Sequence, residues 1–178
     1  MPETARLCLR PLQREDAPAI YRLTSRPDVA RYMRFSAHTR PEQAAELVME
    51  YTAPGCCAFA IQGKKDGTFC GVFAFKAGDT DGDYTLSIFL DPAMWNKGYA
   101  TELLAAMVSY AQTVLGAKCL TAYVVESNLG SRKVLEKQQF IPMSVLTFPD
   151  FPDKLYIYSR LLDLPASNVM TEEEKQHV

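Results

Sequence analysis

Apolar side chains recur at Leu103, Leu104, Met107, Val108, Ala111, Val114 and Leu115. That spacing predicts a helix with one buried face. Just before it, the β-rich run over 84–90 predicts a strand. Between them lies Met94-Trp95-Asn96-Lys97-Gly98-Tyr99-Ala100-Thr101-Glu102. After Gly116 stops the helix, residues 118–125 read as a second strand. A strand–helix–strand crossover of this length implies that strands 84–90 and 118–125 run parallel.

The remaining pattern frames this unit. Residues 7–12 predict a short strand ended by proline, and Glu15-Asp16 open a helix with Ile20, Tyr21 and Leu23 inward. Arg26-Pro27-Asp28 breaks that helix, a short helical turn is expected over 29–33, and 34–38 is a loop. Thr39 is expected to cap a helix in a capping box with Glu42, burying Ala44, Leu47, Val48 and Tyr51. Runs over 57–62 and 68–76, parted by Gly63-Lys64-Lys65-Asp66-Gly67, predict a hairpin. The acidic stretch 78–83 reads as a turn, because it lacks the closing glutamate of a calcium loop. A helix over 128–137, capped by Ser127 or Asn128, precedes strands over 140–147 and 154–161 joined by a loop. One domain is expected over 1–165, followed by a polar, mobile tail over 166–178.

Composition narrows the function classes. Nineteen basic and 21 acidic side chains give a net charge of −2, which argues against a nucleic-acid partner. The five cysteines, at 8, 56, 57, 70 and 119, show no C-x-x-C spacing. The chain opens without the apolar run of a signal peptide and has no membrane-length apolar segment. Free thiols in a cytoplasmic protein, without a membrane partner, are therefore expected. The two histidines, His38 and His177, pair with nothing at ligand spacing, so neither a metal site nor a histidine triad is expected.

The chemistry centres on 94–102. Gly98 and Ala100 let a ligand approach the backbone, and the first N–H groups of the following helix have no internal partner. With the helix dipole and Lys97 alongside, they suit an anionic phosphate. A glycine at such a junction also serves as a plain turn. The stretch Asn96-Lys97-Gly98 lacks the end of a Walker loop, so a nucleotide phosphatase is poorly supported.

The order of elements over about 5–162 is similar to the GNAT superfamily of acyl-CoA-dependent N-acetyltransferases. Leu9-Arg10-Pro11-Leu12, Glu15-Asp16-Ala17 and Asp28-Val29-Ala30-Arg31-Tyr32 resemble its ribosomal-protein N-acetyltransferase branch. The family's pyrophosphate loop, Gln/Arg-x-x-Gly-x-Gly/Ala, is matched by Trp95 to Ala100, with tryptophan in first place. A second motif, Asn-x-x-Ser-x-x-x-Leu-Glu-x-x-x-Phe, is matched by Asn128, Ser131, Leu135, Glu136 and Phe140, with Gln139 where glycine is usual.

The resemblance implies an α+β fold of three layers. A mixed, mostly antiparallel sheet would have helices on both faces and one parallel strand pair that splays apart. It implies acetyl-CoA as co-substrate, with no metal. Phe89 and Leu90 would bond its pantetheine arm; Trp95, Asn96, Lys97, Gly98, Tyr99, Ala100 and Thr101 would surround the pyrophosphate; Asn128 and Ser131 would complete the site. Asn128 also reads as a helix cap. Many members carry a tyrosine as proton donor where this chain has Leu135; resemblance to the ribosomal-protein branch implies that role for Ser131, one helical turn earlier on the same face. Glu126, Asp83, Tyr84 and Ser87 are candidates for the general base or for orienting a water, and the sequence assigns none of them. Segments 32–39 and 147–153 would build the acceptor pocket, with Tyr32, Phe35, Phe148 and Phe151 lining it and Arg34 and His38 placed to read a carboxylate. The implied activity is acetyl transfer to a primary amine, foremost a protein or peptide N-terminus, by direct attack in a ternary complex. Small-amine acetylation (a polyamine, amino acid or antibiotic) and non-catalytic acyl-CoA binding are the alternatives. A monomer or a homodimer is expected.

Overall fold

Residues 1–148 and 151–162 are described in the computed structural model. Alternating apolar residues place seven strands in one sheet: β1 (Leu7–Pro11), β2 (Cys56–Gly63), β3 (Phe69–Ala77), β4 (Asp83–Leu90), β5 (Cys119–Val125), β6 (Ile141–Phe148) and β7 (Phe151–Leu161). Their order is β1-β2-β3-β4-β5-β7-β6, and every neighbouring pair is antiparallel except β4 with β5. Helices α1 (Ala17–Thr24), α2 (Pro27–Ala30) and α3 (Pro41–Tyr51) follow β1; α4 (Tyr99–Thr113) crosses from β4 to β5; α5 (Leu129–Lys137) follows β5.

The central strand β3 is apolar on both sides because each side faces a helix layer. Phe73 and Phe75 join a core with Leu103, Leu104, Met107, Val108 and Ala111 of α4. Val72 and Ala74 face the other way, toward Ile20 and Leu23 of α1 and Ala44, Leu47 and Val48 of α3. The expected three-layer α+β architecture is thus realised, with helices on both faces of a mixed sheet. At Gly71, with φ 150°, an added Cβ would lie 2.2 Å from the Phe89 carbonyl oxygen, so only glycine lets β3 meet β4 there.

Local expectations change in three places. Helix α2 begins at Pro27 itself, since proline at the first helical position starts a helix rather than breaking it. At α3 the box residue is Gln43, not Glu42: the N–H groups of Thr39 and Arg40 donate to its Oε1 at 2.8 and 3.0 Å. The helix starts at Pro41, which makes Gln43 the third helical residue. Strand β7 starts at Phe151, paired to Phe148, so the expected six-residue connection is tight. Every residue of edge strand β6 is exposed, including Ile141, Met143 and Val145. The expected tail over 166–178, with His177, lies outside the described residues, as do loop residues 149–150.

Candidate functional site

Strands β4 and β5 are paired only from Asp83↔Cys119 to Thr85↔Thr121. Beyond that β4 runs on paired to β3 alone, and β5 paired to β7 alone. The parting opens a cleft of about 1710 Å³ between 86–90 and 122–125. Hydrogen-bond register decides which backbone groups face it. Gly78 N–H donates to Asp83 O at 2.8 Å and Asp91 N–H to Cys70 O at 2.7 Å, so odd-numbered residues of β4 bond to β3. Even-numbered residues turn toward β5, as the Cys119 N–H on Gly82 O marks at the start. Leu90 and Ile88 therefore present backbone groups to the cleft, whereas the backbone of Phe89, paired to Val72, points at β3. Ile88 takes the place expected for Phe89.

At the open end the chain turns into α4. Asp91 caps a short 3-10 turn, with Ala93 N–H on its Oδ1 at 2.8 Å. The Trp95 indole N–H donates to Leu90 O at 3.0 Å, fastening the loop to the strand it leaves. Asn96 and Gly98 are left-handed, with φ 57° and 79°. The first intrahelical bond is Glu102 N–H to Gly98 O at 3.1 Å, so the N–H groups of Tyr99, Ala100 and Thr101 precede the ladder. Trp95, Asn96, Gly98, Ala100 and Thr101 line the cleft. The side chains of Lys97 and Tyr99 do not; the Tyr99 ring lies under the Arg6 guanidinium at 3.7 Å. Unpaired donors at a helix N-terminus, beside small residues, fit a pyrophosphate.

Across the cleft, Asn128 is the cap of α5: its Oδ1 accepts from Ser131 N–H at 3.1 Å. The cap reading of Asn128 holds, and its amide NH₂ remains available to a ligand. Ser131 lines the cleft one turn before Leu135, and among the described residues its hydroxyl is in no hydrogen bond. Leu135 is 4% exposed and belongs to the core, which leaves that position apolar. The helix is braced from behind: Tyr158 OH donates to Glu136 at 2.9 Å and accepts from Arg132 Nε at 3.1 Å, and Ser127 OH donates to Asp153 at 2.5 Å. Glu126 accepts from Tyr156 OH at 3.2 Å and lies 3.7 Å from Lys154 Nζ, so its carboxylate is already engaged.

The opposite half of the cleft is bounded by Tyr32, Phe35 and Phe148 as expected, and by Tyr51, Ser87 and Tyr123. The Phe151 side chain lies outside the described residues. Tyr51 and Ser87 hydroxyls lie 3.1 Å apart, and burial raises the phenol's pKa, keeping it neutral. Arg34 borders the cleft but is ion-paired to Glu50. His38 does not face this cleft. It is 7% exposed, stacked on Phe35, with Nδ1 2.9 Å from Thr24 Oγ1. Because the Thr24 hydroxyl donates to Ile20 O, the hydrogen-bond network assigns the proton to Nδ1 of His38. Burial lowers its pKa and favours the neutral ring, so it is a core residue and not a carboxylate reader. Tyr51 reads in the sequence as part of a buried helix face and Tyr123 as part of a strand, and their spacing shows no more than that.

A parallel pair parted for more than half its length, opening beneath a helix N-terminus, leaves room for an extended, phosphate-bearing arm between two strands. The chain belongs to the acetyltransferase (GNAT) domain family, whose model matches residues 6–141, and it is an acyl-CoA-dependent N-acetyltransferase. It is 28% identical over 149 residues to the uncharacterised N-acetyltransferase YoaA of Bacillus subtilis, covering 81% of this chain and 84% of that one. It is likewise 28% identical over 142 residues to the uncharacterised N-acetyltransferase p20 of Bacillus licheniformis, covering 77% and 80%. Among solved structures, a GNAT-family acetyltransferase from Bacillus anthracis superposes with a TM-score of 0.80 at 22% identity, over 90% of this chain and 97% of that one. Spermidine N-acetyltransferase from Vibrio cholerae, in complex with CoA and spermine, gives 0.77 at 17% identity, over 87% and 95%. Among the described residues no helix is long and apolar enough to cross a membrane.

Proposed function

We propose that the chain acetylates the N-terminal amine of a protein or peptide, with acetyl-CoA as donor in a ternary complex. The observation that carries the choice of acceptor is the charge of the acceptor half. Arg31, Arg34 and Lys76 line it against Glu50 and Asp79, and Glu50 is already paired to Arg34. A polyamine needs an acidic wall to offset its several charges, and a wall with more cations than acids opposes it. An open groove with aromatic sides instead suits one amine on a peptide carrying apolar side chains. An α-amino group, with an ordinary pKa near ~7.8 against ~10.4 for lysine, also needs less help to become neutral.

Acetyl-CoA supplies an acetyl group on a thiol leaving group. The chain's own residues do the rest. The N–H groups of Gly98 to Thr101 hold the pyrophosphate, while Asn128 and the backbone of Ile88 and Leu90 hold the arm. Strand N–H groups facing the cleft stabilise the negative charge that develops on the thioester oxygen. As the nitrogen–carbon bond forms and the carbon–sulfur bond breaks, Ser131 passes a proton to the departing sulfur and regains, through water, the proton that the amine nitrogen loses. The Tyr51–Ser87 hydroxyl pair orients the amine or a water beside it.

The test is thiol release from acetyl-CoA with N-terminal peptides and spermidine as acceptors. Turnover is expected with peptides, and Ser131→Ala should lower kcat by about 100-fold with little change in KM for acetyl-CoA. Turnover on spermidine and not on peptides would overturn the acceptor assignment. An unchanged kcat in Ser131→Ala would remove the proposed acid.

A further inference from the structure

We propose that Arg6 is a positioning residue for the pyrophosphate of coenzyme A, holding the first turn of α4 in its binding shape from a distant part of the chain. The inference rests on reading that turn as the pyrophosphate seat.

One guanidinium spans the whole turn. Its Nη1 donates to Lys97 O at 3.0 Å, its Nε donates to Glu102 Oε2 at 2.7 Å, and its plane covers the Tyr99 ring at 3.7 Å. The Arg6 backbone N–H adds a bond to Glu102 Oε1 at 2.9 Å. These partners lie 91 to 96 residues away in the chain, immediately before β1 on one side and at the β4–α4 junction on the other.

Two physical consequences follow for an anion seated there. First, left-handed Gly98 takes the Lys97 carbonyl out of the helix ladder, and without a donor that peptide is free to rotate. Arg6 fixes it, and with it the direction of the N–H groups at 98–101. Second, Glu102 puts a carboxylate in the turn that must receive a doubly charged pyrophosphate. Partial burial pushes the Glu102 carboxyl up, but hydrogen bonds from Thr4 and from Arg6 outweigh this and keep it ionised. Arg6 therefore neutralises a charge that would otherwise repel the ligand. An exposed Arg–Glu pair adds little to folding. With the Arg6 side chain 41% exposed, its contacts have more to do with the shape of the turn than with stability.

Calorimetric titration with coenzyme A, and kinetics with acetyl-CoA and S-acetyl-pantetheine, separate the possibilities. The second donor lacks the pyrophosphate. Arg6→Ala should weaken coenzyme A binding and raise KM for acetyl-CoA by about tenfold, with kcat near the wild-type value. Its kcat/KM for S-acetyl-pantetheine should match the wild type. Arg6→Lys should not restore binding, because an ammonium cannot bond the carbonyl and the carboxylate in this fixed fork. Glu102→Gln in the Arg6→Ala background should recover part of the loss. Equal losses with both donors, or unchanged coenzyme A affinity in Arg6→Ala, would overturn the proposal while leaving the site assignment standing. Failure of the wild-type protein to bind coenzyme A would overturn both.

Discussion

The two halves of the cleft are built by different rules. The half proposed to hold the donor is mostly backbone, the rim of β4 and the first turn of α4, joined by the Asn128 side chain that caps α5. Its φ angles and helix caps are encoded by short motifs, and its ladder register is set by the pairing of β4 with β3. The half proposed to take the acceptor is made of side chains from α2 and the segment after it, the end of α3, β3, β4, β5 and β6, brought together only by the tertiary fold. A donor shared by a whole family can be held by backbone, whereas acceptor choice must lie where side chains vary freely.

The contrast is broken most severely at Gly98. A valine there would have to take a left-handed φ that β-branched residues avoid, and Gly98→Val should weaken coenzyme A binding by about 30-fold or more without unfolding the protein. Titration calorimetry beside a circular dichroism melt checks both parts.

Next in size is an effect on the acceptor side of the molecule. Burial pushes the Asp16 carboxyl up, but the Arg10 guanidinium, at 2.6 and 2.8 Å, and the Gln13 N–H draw it below its ordinary value. A depressed carboxyl contributes stability that is present above its unfolded pKa and is lost as pH falls through the folded one. Asp16→Asn should lower stability by about 2 kcal/mol at pH 7 and flatten the acid limb below pH ~4. Urea midpoints measured across pH test it.

Smaller changes should divide the halves cleanly. Tyr32→Ala and Phe148→Ala should lower kcat/KM for a peptide acceptor by roughly tenfold and leave KM for acetyl-CoA unchanged. Equal shifts in both constants would mean that the two halves are not independent.

The smallest effect is at the end of α5. Gln139 is left-handed at φ 62°, and Phe140 N–H to Leu135 O (3.1 Å) and Gln139 N–H to Glu136 O (3.0 Å) close a Schellman turn. The turn is retained without the family's glycine, at a cost of about 1 kcal/mol. Gln139→Gly should raise stability by about that amount with activity unchanged.

The same division explains what could be read from the sequence. The strand–loop–helix unit, the parallel crossover and the cap at Asn128 depend on local spacing and were legible. The choice between Ile88 and Phe89 depends on which neighbour each residue of β4 bonds, and no local pattern carries that register. His38 reads as a loop residue until α1 brings Thr24 beneath it. Glu42 and Gln43 differ by one position, and only the observed start of α3 decides between them. The apolar alternation of β6 resembles a buried strand, yet its place at the sheet edge leaves it exposed.

The short β4–β5 pairing also has a thermodynamic side. Backbone ladders make one leaf of β1 to β4 and another of β5 to β7; three residue pairs join their ladders, and the core under α4 packs against both. Opening of the leaves then costs less than global unfolding, so amides at 86, 88 and 90 should exchange sooner than those bonded to β3. A ligand lying along both strands ties the leaves together and adds about 2.7 kcal/mol at a hundred times its Kd. The donor substrate would thus act as a transient eighth strand, bridging the sheet where its own ladder parts.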